Sequence, residues 1–203
     1  MGRKTKIWLI IGTSFVVAGC SMFGCALMAQ GWDFMKLSTA QYETNEHIIV
    51  EAFQNISIVA DTADITFAPS ESDRCLVVCH EQKNATHMVA VKDGTREIKH
   101  ADARKWYEYI GINFGSPKVT VYIPYGEYGA LSIKGSTGDV VFYGCDAAEI
   151  SVKTSTGDVK GSLLAEKVFV TKTNTGSIVT PQTTTGGKCE VSTDTGDIKI
   201  SIS

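Results

Sequence analysis

The chain has 203 residues, of which 43% are hydrophobic and 20% are charged, and its formal net charge is −3. This length supports one globular or solenoid domain with a short appendage. Nucleic-acid binding requires clustered lysine and arginine residues that neutralise phosphates, so the mildly acidic composition argues against a nucleic-acid partner. Nineteen glycines against four prolines are typical of a turn-rich β protein.

The N-terminal segment predicts a membrane anchor. Residues 7–29 contain no charged residue, and in an α-helix they span about 34 Å, enough for a hydrocarbon core of about 30 Å. The basic residues Arg3, Lys4 and Lys6 precede this run and keep the N-terminus cytoplasmic under the positive-inside rule. We therefore expect a single-pass protein of the cell membrane, with a cytoplasmic tail over 1–6, a transmembrane helix over 7–29 and an extracytoplasmic remainder.

A lipoprotein signal is the alternative interpretation of the same segment. Val17-Ala18-Gly19-Cys20 resembles a lipoprotein cleavage box, in which Cys20 is the lipidated residue. However, the apolar run continues through Ala29, where a lipoprotein normally begins a polar tether. We therefore favour an uncleaved anchor and keep Cys20 lipidation as the alternative.

A short phrase recurs four times in residues 131–203, centred on glycines 19, 19 and 20 residues apart: Gly138, Gly157, Gly176 and Gly196. Apolar residues alternate with polar ones around each glycine, which predicts a strand, a glycine turn and a second strand in each unit. The positions five residues before the glycines are Ile133, Val152, Thr171 and Val191. A repeat with a fixed period predicts that the units stack and bury a shared core.

The predicted fold is therefore all-β, a right-handed β-helix-like solenoid with coils of about 19–20 residues, preceded by the transmembrane helix. Residues 61–65 match the phrase with Ala63 in place of the glycine, which predicts a degenerate first coil. We expect a connector over 30–45 and one extracytoplasmic solenoid domain over 46–203. The last repeat reaches Ser203 on a strand, so we also expect an open C-terminal edge through which two copies associate.

Residues 118–140 carry a resemblance to a known bacterial family. They read Lys-Val-Thr-Val-Tyr-Ile-Pro and continue into Leu131-Ser-Ile-Lys-Gly-Ser-Thr-Gly-Asp-Val140. Residues 31–39 (Gly-Trp-Asp-Phe-Met-Lys-Leu-Ser-Thr) are similar to the phrase that follows the membrane helix in many members. The chain thus resembles the "putative adhesin" β-strand-repeat family of unknown function, which includes LiaG-like envelope proteins. The resemblance implies a β-solenoid at the cell surface and supplies no catalytic residues.

The residues that follow the repeat glycines are the candidate binding row, namely Asp139, Asp158 and Asp197, with Ser177 in the remaining unit. Equivalent positions in stacked strands lie about 4.8 Å apart, so these carboxylates would attract a cation or a polar ligand. Turn chemistry is the favoured interpretation, because aspartate and serine side chains often bind backbone groups in turns. A second row, Lys134, Lys153 and Lys172, could oppose the acidic row or bind an anionic wall polymer, although an ordinary solvated strand face is the favoured interpretation.

We expect no metal site and no cofactor. Cys75 and Cys79 lie about 13 Å apart along a strand, so they cannot bridge each other. The Cys75-x-x-x-Cys79-His80 spacing lacks the second ligand pair of a zinc site. Cys145 and Cys189 occupy apolar positions and are predicted to be buried, although the compartment would permit a disulfide among the four cysteines.

No catalytic constellation emerges from the remaining residues. The histidines are scattered along the chain and no serine is placed to act with one of them: His47, His80, His87 and His100. An aromatic cluster in residues 100–117 predicts a plug at the end of the core, with a sugar-stacking platform as the alternative: Trp106, Tyr107, Tyr109 and Phe114.

These patterns predict a non-enzymatic, membrane-anchored surface protein, either an adhesin or an envelope-associated scaffold. Its expected partners are the membrane itself and an envelope polymer or surface protein. A polysaccharide-active β-helix enzyme is the alternative, although the row of Asp139 and Asp158 has no evident basic partner in the sequence. An accessory protein of an envelope-stress response is a further alternative.

Overall fold

The computed structural model describes residues 2–33, 36, 38, 40–106 and 115–203. They belong to two compact units. The first contains residues up to Gln41 together with Trp106–Gly115, and the second contains Tyr42–Lys105 and Ser116–Ser203.

The first unit contains helix α1 (Arg3–Ala29), which begins earlier than the predicted residue 7. Within the described residues it is the one helix long and apolar enough to cross a membrane, a property that signal sequences share. The hydroxyl groups of Thr13, Ser14 and Ser21 donate to carbonyls four residues earlier at 2.8–2.9 Å. These three hydroxyl groups are therefore satisfied by carbonyls within the helix itself.

The second unit is built from β-strands, which we number in chain order. Their bounds are β1 (Tyr42–Ile49), β2 (Asn55–Val59), β3 (Asp64–Pro69), β4 (Cys75–Gln82), β5 (Ala85–Lys92), β6 (Thr95–Asp102), β7 (Lys118–Ile123), β8 (Tyr128–Lys134), β9 (Val140–Cys145), β10 (Ala147–Thr156), β11 (Val159–Leu163), β12 (Lys167–Thr175), β13 (Ile178–Val179), β14 (Gly187–Thr195) and β15 (Ile198–Ile202). Strand β1 begins at Tyr42, inside the range predicted as a connector.

The strands form one continuous, nearly closed sheet with two layers of parallel strands. One layer has the order β12-β14-β10-β8-β2-β6, and the other has the order β13-β15-β11-β9-β3-β7. The antiparallel strands β5 and β4 join the layers by connecting β6 to β7, and β1 pairs with β4. The prediction of a mostly β, solenoid-like fold after one N-terminal helix is therefore confirmed.

The core consists of apolar rows that run across the strands. Ile133 pairs in register with Val152, and Val152 with Val191, and all are at most 1% exposed. The predicted first coil is part of this stack, because Ile58 pairs with Ile133 and Ile65 pairs with Val140. Alternation of inward apolar and outward polar residues therefore places this row in the core in the coils that contain Ile58, Ile133, Val152 and Val191.

The spatial order of the repeats differs from their order in the chain. The fourth repeat (β14 and β15) lies between the second (β10 and β11) and the third (β12 and β13). The predicted open edge at Ser203 is therefore wrong in position, because β15 pairs with β11 on one side and with β13 on the other. The third repeat forms the end of the stack, and Thr171 rather than valine stands there in the apolar row.

Candidate functional site

The repeat glycines allow neighbouring coils to approach each other closely at one corner. Gly157 has a φ of 143°, and a Cβ atom there would lie 2.0 Å from the carbonyl oxygen of Gly138. A Cβ atom on Gly138 would lie 2.1 Å from the carbonyl oxygen of Ala63. Ala63 belongs to the first coil of this ladder and has no positive φ, so it tolerates a side chain.

The three predicted aspartates lie at this corner and form a hydrogen-bonded ladder. Oδ1 of Asp139 accepts the backbone N–H of Asp158 at 2.9 Å, and Oδ1 of Asp158 accepts that of Asp197 at 2.8 Å. Asp197 accepts the N–H of Ser177 at 2.8 Å, and Asp64 accepts that of Asp139 at 3.1 Å. Each carboxylate therefore binds the backbone of the coil that lies next to it in the sheet. Ligand binding by the row stays a prediction.

Two lysines neutralise the outer oxygens of the ladder. Nζ of Lys160 lies 3.3 Å from Oδ2 of Asp139 and 3.9 Å from Oδ2 of Asp158, and Nζ of Lys199 lies 2.6 Å from Oδ2 of Asp197. The hydrogen bond from Lys199 and that from the Ser177 N–H lower the pKa of Asp197 to about 2. Sequence analysis missed Lys160 as a basic partner of the row. Lys160 lies two residues after Asp158, and its side chain reaches the carboxylates of both Asp139 and Asp158.

The predicted lysine row lies on the outer surface of the layer that contains β8, β10, β14 and β12. Lys134 pairs directly with Lys153, and Ser192 of β14 pairs with both Lys153 and Lys172. All three lysines are exposed, and the closest carboxylate to Lys153 is Oε1 of Glu190 at 3.7 Å. The row therefore presents positive charge on a flat surface of parallel strands.

A buried polar cluster lies between β4 and β5. Oε2 of Glu81 accepts hydrogen bonds from the backbone N–H of His87 at 2.6 Å and from its Nδ1 at 2.7 Å, while Oε1 accepts one from Asn45 at 2.9 Å. The ring of His87 lies 5.2 Å from that of His100, its direct partner on β6. The histidines are thus less scattered than predicted, because the β5–β6 hairpin brings two of them together.

The thiol of Cys79 completes this cluster. One donor atom from each of Cys79, Glu81 and His87 lies within 4.8 Å of the others, and all three residues are buried. Burial, with a contribution from the charge of Glu81, raises the pKa of the Cys79 thiol to about 12. Sequence analysis considered Cys75, Cys79 and His80 instead, but alternation along β4 places Cys79 and Glu81 inward and leaves His80 exposed.

Arg96, on β6, is a further buried polar residue outside this cluster. It is fully buried and its guanidinium carbon lies 4.2 Å from the centre of the Phe53 ring. Among the described residues no oxygen or nitrogen atom accepts a hydrogen bond from its guanidinium nitrogens. Burial lowers its pKa, and the neighbouring Cys75 thiol acts in the opposite direction. Phe53, Cys75 and Tyr128 line an adjacent cavity of about 450 Å³.

The other predicted features have mixed outcomes. All six cysteines, each within the described ranges, are free thiols, and Cys145 and Cys189 are buried as predicted. Trp106 is 76% exposed, but its predicted companions Tyr107, Tyr109 and Phe114 lie outside the described residues. Phe34, Met35, Leu37 and Thr39 of the phrase after the helix also lie outside them.

Comparison with known proteins identifies a family and a fold. Residues 53–202 match the family model described as Toastrack DUF4097. A solved structure of a "putative cell adhesion protein" from Clostridium sporogenes is similar at 9% identity, with a TM-score of 0.52 over 79% of this chain and all of that chain. A "putative adhesin" from Bacteroides fragilis is similar at 18% identity, with a TM-score of 0.43 over 79% of this chain and 97% of that chain. No curated protein matches significantly.

Proposed function

Because the chain belongs to the Toastrack DUF4097 family, we propose that it is a non-enzymatic, membrane-anchored protein that binds an anionic polymer of the cell envelope. The family has no established function, and structural neighbours described as adhesins supply the expectation of surface binding. Helix α1 is the proposed anchor, with its N-terminus cytoplasmic and the β-domain outside the cell.

The lysine row is the observation that carries this proposal. Lys134 and Lys153 lie directly opposite each other on neighbouring strands, an arrangement that destabilises a sheet by like-charge repulsion. Lys172 adds a third positive charge on the same surface, two strands beyond Lys153. A polymer with regularly spaced phosphate or carboxylate groups would relieve this repulsion along the whole row.

The repeat geometry suits a polymeric ligand better than a small one. Neighbouring strands of a sheet lie about 4.8 Å apart, so a row that crosses several strands offers several contacts, with Lys172 two strands beyond Lys153. Each exposed lysine contributes little alone, but several contacts on one polymer add through a high effective concentration. Such binding weakens as salt screens the charges.

The test is retention of the full-length, detergent-solubilised chain on an immobilised phosphate-rich wall polymer. We expect the triple substitution of Lys134, Lys153 and Lys172 by glutamine to lower affinity at least tenfold. A matched control replaces three exposed lysines elsewhere by glutamine, namely Lys83, Lys92 and Lys118. Equal retention of both triple variants would reject the row as the binding surface, and shortening of the polymer during incubation would reject a non-enzymatic role.

Substitution of Cys20 distinguishes an uncleaved membrane anchor from a lipoprotein signal. With an uncleaved anchor, labelled palmitate incorporation is the same in wild type and Cys20→Ala, and the purified chain keeps its N-terminal mass. Loss of label in Cys20→Ala, together with a chain that begins at residue 20 in the wild type, would establish the lipoprotein alternative instead.

A further inference from the structure

We propose that Cys79, Glu81 and His87 bind a divalent transition-metal ion of the zinc class inside the β-domain. The cluster combines a thiol, a carboxylate and an imidazole, and its three residues are 0%, 1% and 4% exposed. Their donor atoms lie within 4.8 Å of one another. Tetrahedral zinc with ligand bonds of about 2.0–2.3 Å places donors about 3.5 Å apart. The site therefore forms if the wider donor distances shorten and the 2.7 Å contact between Glu81 and His87 lengthens.

His87 supplies an independent observation. Its Nε2 atom is buried and has no hydrogen-bond partner among the residues that the structure describes. A buried ring nitrogen without a partner is unfavourable, and a metal ion on the imidazole would remove this deficit. The carboxylate of Glu81 cannot contact Nδ1 and share an ion with Nε2, because the two nitrogens point to opposite sides of the ring, so ion binding at Nε2 replaces the present Nδ1 contact of 2.7 Å.

The chemistry of the donors indicates the class of metal. Thiolate and imidazole ligands favour zinc and the neighbouring transition metals, whereas calcium and magnesium require oxygen ligands. His100 stands opposite His87 with a ring separation of 5.2 Å but does not belong to the group of donors that lie within 4.8 Å of one another, so the described residues supply three ligands. Binding converts the Cys79 thiol to a thiolate and releases its proton to solvent.

The position of the cluster gives the ion a structural role. Strands β4 and β5 join the two layers of the sheet, yet they pair only at Gln82 and Ala85. Cys79 and Glu81 lie on β4, and His87 lies on β5 just beyond that pair. A metal ion would therefore bridge the two strands where their hydrogen bonding stops, and it would stabilise the fold by binding only the folded state.

The experiment is titration of the full-length, chelator-treated chain in detergent with Co²⁺, which reports thiolate ligands through a sulfur-to-cobalt charge-transfer band. We expect the band to saturate at one equivalent, Zn²⁺ to displace it, and either ion to raise the melting temperature. Cys79→Ser abolishes the band, and His87→Gln weakens binding at least tenfold. The matched controls Cys75→Ser and His80→Gln, on the same strand, retain both the band and the thermal shift.

A second variant covers the case in which Cys79→Ser fails to fold. In a chain that keeps Cys79 as its only cysteine, the Co²⁺ band must persist at full intensity. Absence of the band in that chain or in the wild type, or an undiminished band in folded Cys79→Ser, overturns the proposal. Because the readout does not involve an envelope polymer, its outcome is independent of the proposed function.

Discussion

The backbone N–H of Asp158 donates a hydrogen bond of 2.9 Å to Oδ1 of Asp139 in the neighbouring coil. The sequence favours turn chemistry, in which aspartate side chains bind backbone groups of turns. The bonds here run between coils, since the N–H of Asp197 donates to Asp158 in the same way at 2.8 Å. The repeated aspartate is therefore a device for stacking, and its conformation depends on the coil beside it.

Replacement of Asp158 by alanine should lower the free energy of unfolding by about 1 kcal/mol, because the N–H of Asp197 loses its acceptor. Asp158→Asn keeps an acceptor oxygen and should cost less. Chemical denaturation of the full-length chain measures both. Glu149→Ala removes the same charge from an exposed site on β10 and serves as the control. Equal stability of Asp158→Ala and Glu149→Ala would contradict the ladder.

Replacement of Gly157 by alanine should prevent stable folding, with a cost of about 3 kcal/mol or more. Its φ of 143° is strained for any residue with a side chain, and the new Cβ would meet the Gly138 carbonyl at 2.0 Å. Gly126→Ala is the control, because that position has open space and no positive φ. Soluble yield and thermal unfolding distinguish the two variants, and a well-folded Gly157→Ala chain would show that the corner is not this tight.

Ala63→Gly provides the opposite test at the first coil. A substitution toward the repeat consensus is commonly expected to stabilise a protein. Here it should lower stability slightly, by about 0.5–1 kcal/mol, since Ala63 has no positive φ and glycine only adds freedom to the unfolded chain. A higher melting temperature for Ala63→Gly would contradict this account of the end of the ladder.

Acid should remove a contribution of Asp197 to stability. The folded-state pKa of Asp197, about 2, lies below the ordinary value of 3.8, because Lys199 and the Ser177 N–H favour the charged form. The contribution is therefore present above about pH 4 and is lost as the pH falls through about 2. We expect wild type and Asp197→Asn to differ most in stability at neutral pH and to converge near pH 2.

NMR titration of the carboxyl carbons tests why the pKa of Asp197 is low. The pKa of Asp197 should rise toward its ordinary value in Lys199→Gln, because the first cause of the depression is the hydrogen bond from that lysine. Lys188→Gln, on the other layer of the sheet, should leave it unchanged. An Asp197 that titrates at its ordinary value in the wild type would remove the basis for the acid prediction.

The repeat phrase predicted the strands and the corner, and its departures mark the two ends of the stack. Ala63 occupies the glycine position in the first coil of the ladder, and Ser177 occupies the aspartate position in the last coil. Among the described residues no further coil of the ladder lies beyond either one. Sequence order alone could not reveal this, because the fourth repeat inserts before the third. The polar residue Thr171 in the apolar row is the available signal, since the end of the stack tolerates threonine where the interior coils have isoleucine or valine.

The cluster of Cys79, Glu81 and His87 escaped sequence analysis for a different reason. Its residues lie on two strands that diverge after one pair, so no fixed spacing or motif marks them. The inward alternation of Cys75, Val77, Cys79 and Glu81 along β4 could have indicated that Glu81 is buried. It could not have identified His87 as its partner, which depends on the position of β5.

The end coil gives the last prediction. Thr171→Val, combined with Ser177→Asp, makes the third repeat resemble an interior coil and should promote end-to-end association of two copies. A buried methyl group contributes about 0.8 kcal/mol, so two copies together should lower the dimer dissociation constant roughly tenfold. Sedimentation velocity of the full-length chain at several concentrations measures this shift. Thr120→Val makes the same chemical change on β7, which is paired on both sides, and should have no effect. If both variants associate equally, the exposed edge of β12 is not the surface through which copies meet.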